Sequence, residues 1–184
     1  MYTRFLKSLV DIVMNNIVLI GMPGVGKSTL GVVLAKELGF EFVDADLLIQ
    51  KREKSLLKDI IASKGVEGFM AIENEVNASI TAERTVIATG GSVIYGKEAM
   101  EHLKSIGTIV YLKLSYDVLS TRLGSLRGRG VVLKDGQDLE GLYNERTPLY
   151  EKYADVIVDE EGRDLEATLT EVLAQLYLHS IKFD

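Results

Sequence analysis

The chain has 184 residues, 47% of them apolar and 26% charged, with a formal net charge of −6 and no cysteine. That balance suits one soluble domain with its own core and a reducing, cytoplasmic setting. It excludes a disulfide framework, a thiolate metal site and a cysteine nucleophile, and the acidic balance speaks against a nucleic-acid surface, which calls for clustered Lys and Arg.

Residues 1–15 carry Phe5, Leu6, Leu9, Val10, Ile12 and Val13 at roughly helical spacing. The stretch is too short and too interrupted by charge to span a membrane, and it lacks the core and cleavage site of a signal peptide. An amphipathic leader helix is expected there, or an extension ahead of a start at Met14. Residues 16–184 are expected to form a single domain.

Asn16–Ile20 is a short apolar run, as in a strand buried on both faces. A glycine-punctuated loop, Gly21 to Lys27, follows. Ser28–Leu38 then sets Leu30, Val33, Leu34 and Leu38 on one helical face, and Gly39 ends it. Phe40–Val43 reads as a second strand. Leu47–Ser63 is expected as a charged helix with Leu56, Leu57, Ile60 and Ile61 inward, and Val66–Ala82 as another helix. Thr85–Ala88 is a strand running into Thr89-Gly90-Gly91. Lys97–Ser105 is expected helical, Thr108–Leu114 a strand and Tyr116–Leu123 helical. Residues 124–137 hold four glycines and two arginines with no period, and a long loop of that kind is usually functional or disordered. Asp138–Tyr153 reads as helical despite Pro148, Asp155–Val158 as the last strand and Leu165–Leu178 as the last helix. Strands alternating with helices of ten or so residues predict right-handed βαβ units, here a three-layer α/β/α fold on a five-stranded parallel sheet.

Gly21-Met-Pro-Gly-Val-Gly-Lys-Ser-Thr29 matches the full G-x-x-x-x-G-K-[ST] pattern, with a buried strand before it and an amphipathic helix after it. Gly21, Gly24 and Gly26 let the backbone, Val25 included, turn its N–H groups toward phosphate oxygens. The following helix adds its positive end, and Thr29 lies in its first turn. Lys27 reaches the β- and γ-phosphates of ATP as a point charge, and the Ser28 hydroxyl suits Mg²⁺. A GTPase would add an Asp-x-x-Gly switch and an Asn-Lys-x-Asp base reader. Neither is present, which moves the weight to small-molecule kinases.

Four further features resemble the shikimate kinase family. They are Phe42-Val-Asp44-Ala-Asp46, Thr89-Gly90-Gly91, the arginine-bearing Arg127-Gly-Arg129-Gly-Val-Val, and Glu145-Arg146-Thr-Pro148-Leu-Tyr150 with Ala154-Asp155 behind it. The resemblance runs from about Asn16 to the last helix. It implies a nucleoside-monophosphate-kinase-like fold with acceptor-binding helices over about 46–82 and a mobile lid over about 124–137. It implies that Asp44 helps hold Mg²⁺, that Asp46 contacts the acceptor hydroxyls, and that Arg146 grips the acceptor carboxylate in a bidentate fork. Gly90 and Gly91 would bring backbone close to the acceptor, and Arg129 would approach the phosphates, with Arg127 near enough to take that place. Arg122 and Arg163 would lie beside the adenine. Plainer readings stand next to these: one aspartate as a helix cap, a surface ion pair of Arg146 with Glu145 or Glu151, and a surface charge for Arg122.

The chain departs from the family where Phe-Arg-x-x-Glu becomes Phe69-Met70-Ala71-Ile72-Glu73, so that Met70 stands at a carboxylate-clamping position in the acceptor site. Ser92 replaces a third glycine, and Arg129-Gly130 replaces Arg-Pro. Phosphorylation of the 3-hydroxyl of shikimate by ATP is the first expectation. A kinase for another polyol or sugar acid such as gluconate is the alternative, and a non-catalytic nucleotide-binding module is the reading from another class. The expected partner is a small hydroxylated metabolite, with no nucleic acid or membrane involved and a monomeric chain.

Overall fold

The computed structural model describes residues 16–123, 131, 132, 134 and 136–180. Residues 1–15, 124–130, 133, 135 and 181–184, with the expected leader and both Arg127 and Arg129 among them, lie outside the described residues.

Five strands, β1 (Asn16–Ile20), β2 (Glu41–Asp44), β3 (Thr85–Ala88), β4 (Gly107–Lys113) and β5 (Val156–Asp159), form one sheet in the order β2-β3-β1-β4-β5. Every pairing is parallel, so all strands end at the same edge. Seven α-helices are described: α1 (Lys27–Leu38), α2 (Ala45–Glu53), α3 (Leu57–Ala78), α4 (Lys97–Ile106), α5 (Tyr116–Leu123), α6 (Leu139–Tyr153) and α7 (Leu165–Ser180). The expected α/β class and strand count hold. None of the described helices is long and apolar enough to cross a membrane.

β1 is the central strand and all five of its residues are buried, as a run covered by helices on both faces must be. Its first residue is polar but fully used. Asn16 donates from Nδ2 to Ala82 O at 2.8 Å and Ile106 O at 2.9 Å, and accepts from Thr85 N at 3.0 Å. One buried amide thus ties three chain segments at the edge remote from the loop. Close packing of α1 on the sheet depends on Gly31, where an added methyl would come within 2.6 Å of the Phe42 ring. Gly39 ends α1 in the left-handed region (φ 67°), and Phe40 N donates to Ala35 O at 2.8 Å. Phe40 therefore belongs to the helix end, and β2 starts one residue later than expected and runs to Asp44.

The helical stretch after β2 differs from expectation. α2 stops at Glu53, with Lys54 left-handed (φ 53°) and its N–H on Gln50 O. Leu56, expected inward, is 55% exposed at the turn. α3 then runs to Ala78 through a kink at Gly65 (φ 72°, ψ 176°). The reversal lets the two helices face each other, so that Ile49 joins Ile60, Phe69, Ile72, Val76 and Val132 in a second apolar cluster separate from the sheet core. Two periodic apolar runs do not reveal where the chain must turn, because packing between helices decides it. A 3₁₀ turn, Val93–Tyr95, also lacked a signal.

Candidate active site

The carboxyl edge of the sheet collects the chemistry, as open parallel sheets do. β1 feeds the loop at Gly21, whose φ is 147°, with Gly24 at 79° and Gly26 at 114°. A Cβ at Gly21 would lie 2.7 Å from Leu112 O, so only glycine serves there. Lys27 folds back into this loop. Its Nζ is buried and donates to Gly21 O at 2.8 Å and Met22 O at 3.0 Å. Burial lowers its pKa to about 8, against the pull of Asp46.

β2 ends at Asp44, which does two things at once. Oδ2 accepts from the Ser28 hydroxyl at 2.6 Å, while Oδ1 caps α2 by accepting from Asp46 N at 3.0 Å and Leu47 N at 3.3 Å. The cap and the contact with the loop serine coexist because the carboxylate has two oxygens. Ser28 and Asp44 are hard oxygen donors side by side at the helix start, a set that suits Mg²⁺ already carried by phosphates. Among the described residues no group of three or more His, Cys, Asp or Glu could hold a metal alone.

Asp46 follows on the first turn of α2. Its pKa is raised, first by burial and also by Asp44, with Lys27 opposing. Asp46, Gly90, Gly91 and Arg146 line one cavity of about 190 Å³ with Pro23 and Gly24 of the loop. Phe69, Glu73, Ser92, Val131 and Val132 complete much of the wall. The glycines are there for space: a methyl at Gly90 would overlap Glu73 Oε1, and one at Gly91 would press on Pro23 at 2.8 Å. Tyr150, fully buried and stacked on Tyr111 at 5.1 Å, donates its hydroxyl to Gly91 O at 2.5 Å and so fixes that turn.

Arg146 is 1% exposed. It donates from NH2 to Val132 O at 3.0 Å, and from Nε to the Tyr95 hydroxyl at 3.4 Å. The Tyr95 ring lies 5.4 Å from its guanidinium, and the Tyr95 hydroxyl donates to Glu145 Oε1 at 2.5 Å. Neither alternative ion-pair partner holds it: Glu145 bonds Lys134 (2.8 Å) and Gln137 (2.9 Å), and Glu151 bonds Lys113 (2.9 Å).

Glu73 is 1% exposed on α3 and accepts a short hydrogen bond from Ser92 through Oε2. Its pKa rises to about 7, chiefly through burial, with Ser92 opposing and Asp46 adding.

Met70, expected at a carboxylate-clamping position, stands beside Arg146. It does not line the cavity shared by Asp46 and Arg146. It lines an adjoining apolar pocket with Val66, Tyr95, Val132, Leu142 and Arg146. Its neighbour Phe69 is among the residues that line the cavity of Asp46. A one-residue step on a helix turns a side chain by about 100°, so alignment of a motif does not by itself settle which neighbour faces the ligand.

Further along the loop, Val25, Gly26, Thr29, Arg122 and Arg163 line a second cavity of about 250 Å³. Arg122 donates to Val25 O at 3.3 Å and lies 3.8 Å from Glu160, and Arg163 donates to Asp159 O at 2.9 Å. The two arginines expected near a base thus line one cavity, Arg122 bonded to the loop and Arg163 paired with Glu171 at 3.2 Å. Glu160, which lacked any signal, is buried among them with its pKa raised to about 7 by desolvation, against Arg122. Both cavities border the loop, one at Pro23 and Gly24 and the other at Val25, Gly26 and Thr29, an arrangement able to bring a nucleotide phosphate to a small acceptor.

The shikimate kinase family pattern matches residues 23–177. A shikimate kinase of Thermodesulfovibrio yellowstonii is 38% identical over 165 residues, covering 88% of this chain and 95% of that protein. Another, of Francisella tularensis subsp. novicida, is 38% identical over 161 residues, covering 85% and 92%. Among solved structures, the Acinetobacter baumannii shikimate kinase in complex with shikimate superposes with a TM-score of 0.79 at 31% identity, covering 93% of this chain and 96% of that one. The Aquifex aeolicus shikimate kinase gives 0.74 at 32% identity, covering 88% and 96%.

Proposed function

From the premise that the chain belongs to the shikimate kinase family, we propose the roles by which its residues carry the γ-phosphoryl group of ATP to the 3-hydroxyl of shikimate. The observation that carries the reading is the shared cavity: a carboxylate, Asp46, and a guanidinium, Arg146, face one small space beside the phosphate loop. A cyclic acid with ring hydroxyls satisfies both, its carboxylate on Arg146 and its reacting hydroxyl on Asp46.

Arg146 binds and orients. Its NH1 group lies near Gly91, 3.0 Å from where a Cβ there would stand, and it is the guanidinium among the described residues that lines this cavity. Asp46 orients the 3-hydroxyl and takes its proton, a task to which a carboxyl with a raised pKa is better matched than an ordinary one. Lys27 leaves its two loop carbonyls for phosphate oxygens and offsets their charge during transfer. Arg122 and Arg163 flank the base beyond Thr29. Ser28 and Asp44 would hold Mg²⁺, which would supply charge neutralisation to the nucleotide phosphates when bound. A lid arginine, Arg127 or Arg129, is proposed to add positive charge to the transferring phosphate.

The test is ADP release by the purified chain over a panel of shikimate, quinate, gluconate and glycerol. Turnover is expected with shikimate at a kcat/KM at least about 100-fold above the others, since a site built to pair buried polar groups rejects ligands that leave them unpaired. Equal or greater turnover with gluconate overturns the assignment.

A further inference from the structure

Glu73 is buried at 1% exposure, yet only half of its carboxyl is used. Oε2 is held by the Ser92 hydroxyl. Oε1 is also buried and has no hydrogen-bond partner among the described residues. It is not lost in apolar packing, because both Glu73 and Ser92 line the acceptor cavity. A methyl on Gly90 would overlap Oε1 and lie 2.9 Å from Asp46 Oδ1. The space over Gly90 is therefore flanked by two carboxylate oxygens from different helices, Asp46 on α2 and Glu73 on α3. Lys27 and Arg146 complete the charged groups that face Glu73.

A polar atom buried without a partner is costly, and a ligand that brings a partner recovers the cost. An acceptor with hydroxyls on adjacent carbons fits this pair: one hydroxyl on Asp46, the next on Glu73. We propose that Glu73 Oε1 bonds a second, non-reacting ring hydroxyl of the acceptor, and that Ser92 is the positioning residue that turns it there. The inference rests on the cavity taking shikimate. Without the Ser92 bond the carboxyl is free to turn about its terminal torsion, which has broad wells, and to approach Lys27 or Arg146. Ser92 thus acts through Glu73 on acceptor selection and not on the nucleotide.

The experiment compares the wild-type chain with Ser92→Ala and Ser92→Thr on shikimate, 4-deoxyshikimate and 5-deoxyshikimate. Turnover of shikimate by the wild type tests the underlying reading; the pattern across variants and analogues tests this inference. Ser92→Ala is expected to raise the KM for shikimate about 10-fold or more, within the range of a charged hydrogen bond, with kcat down less than about threefold and the KM for ATP unchanged. Ser92→Thr, which keeps the hydroxyl, is expected to restore most of the loss. With 4-deoxyshikimate, Ser92→Ala should cost nothing further, because the hydroxyl next to the reacting one is gone, whereas 5-deoxyshikimate should show the same rise as shikimate; the reverse pattern also overturns the proposal. Equal KM increases for shikimate and both analogues, or no increase with shikimate, overturn the proposal. A measurement on the wild type alone guards against a variant that does not fold. Shikimate should raise the melting temperature more than the analogue lacking the Glu73-bound hydroxyl, and equal shifts from all three compounds count against the proposal.

Discussion

The Ser28 hydroxyl donates to Asp44 Oδ2 at 2.6 Å, joining the start of the phosphate-loop helix to the end of β2. The same aspartate caps α2 through its other oxygen. The two tasks can be separated by substitution. Asp44→Asn keeps a good cap but removes the charge, and it is expected to raise the Mg²⁺ concentration needed for half-maximal activity at least about fivefold with little change in melting temperature. Asp44→Ala should show the same Mg²⁺ defect and lose a further ~0.5–2 kcal/mol of stability with the cap. An unchanged Mg²⁺ dependence in Asp44→Asn would leave this residue only its capping role.

Lys27 is half deprotonated near pH 8 because burial disfavours its charge, and bound phosphates should raise its pKa again. Nucleotide binding at about pH 8.5 is therefore expected to take up protons, read by calorimetry in buffers of different ionisation enthalpy. Without nucleotide, the folded pKa lies below the usual lysine value, so stability attributable to this group rises with pH between about 8 and 10.5. Lys27→Met should abolish the uptake and remove at least ~2 kcal/mol of transition-state stabilisation. Proton release, or uptake that persists in Lys27→Met, would assign the titration elsewhere.

Asp46→Asn is expected to lower kcat by about 10²- to 10⁴-fold while the KM for ATP stays within about threefold, since Asp46 lines the acceptor cavity and not the one beside Arg122. Single-turnover kinetics check this. Collapse of ATP affinity with acceptor affinity intact would exchange the roles of Asp46 and Asp44.

Arg146→Lys loses the planar fork but keeps a cation, and its KM for shikimate should rise about 10- to 150-fold with the KM for ATP unchanged. Tyr95→Phe removes one bond to Arg146 and keeps the ring, so a smaller rise of about 2- to 10-fold is expected. Methyl shikimate, which lacks the charge, should be nearly indifferent to Arg146→Lys. A penalty equal to that for shikimate would show that Arg146 acts on the fold of the cavity and not on the carboxylate.

The amino-acid sequence alone determined the parallel α/β class, the phosphate loop from Gly21 to Thr29 and the kind of reaction. Strand runs buried on both faces, glycines that must turn, and a lysine that must follow them are local demands, and local demands leave local patterns. Asp44, Asp46 and Arg146 were legible as motif members, and the structure brings Asp46 and Arg146 to one wall from chain positions a hundred residues apart. Only the tertiary structure decided which members of a motif face the ligand. Phe69 lines the cavity beside Asp46 and Met70 the adjoining pocket beside Arg146, an arrangement that depends on how α3 packs on α2 through Ile49, Ile60 and Phe69. The support of Arg146 by Tyr95 and Val132, and the pairing of Glu73 with Ser92, were equally out of reach of the sequence. Each joins residues from separate elements, and a single chain carries no trace of which distant side chains share a hydrogen bond until packing has fixed the distance between them.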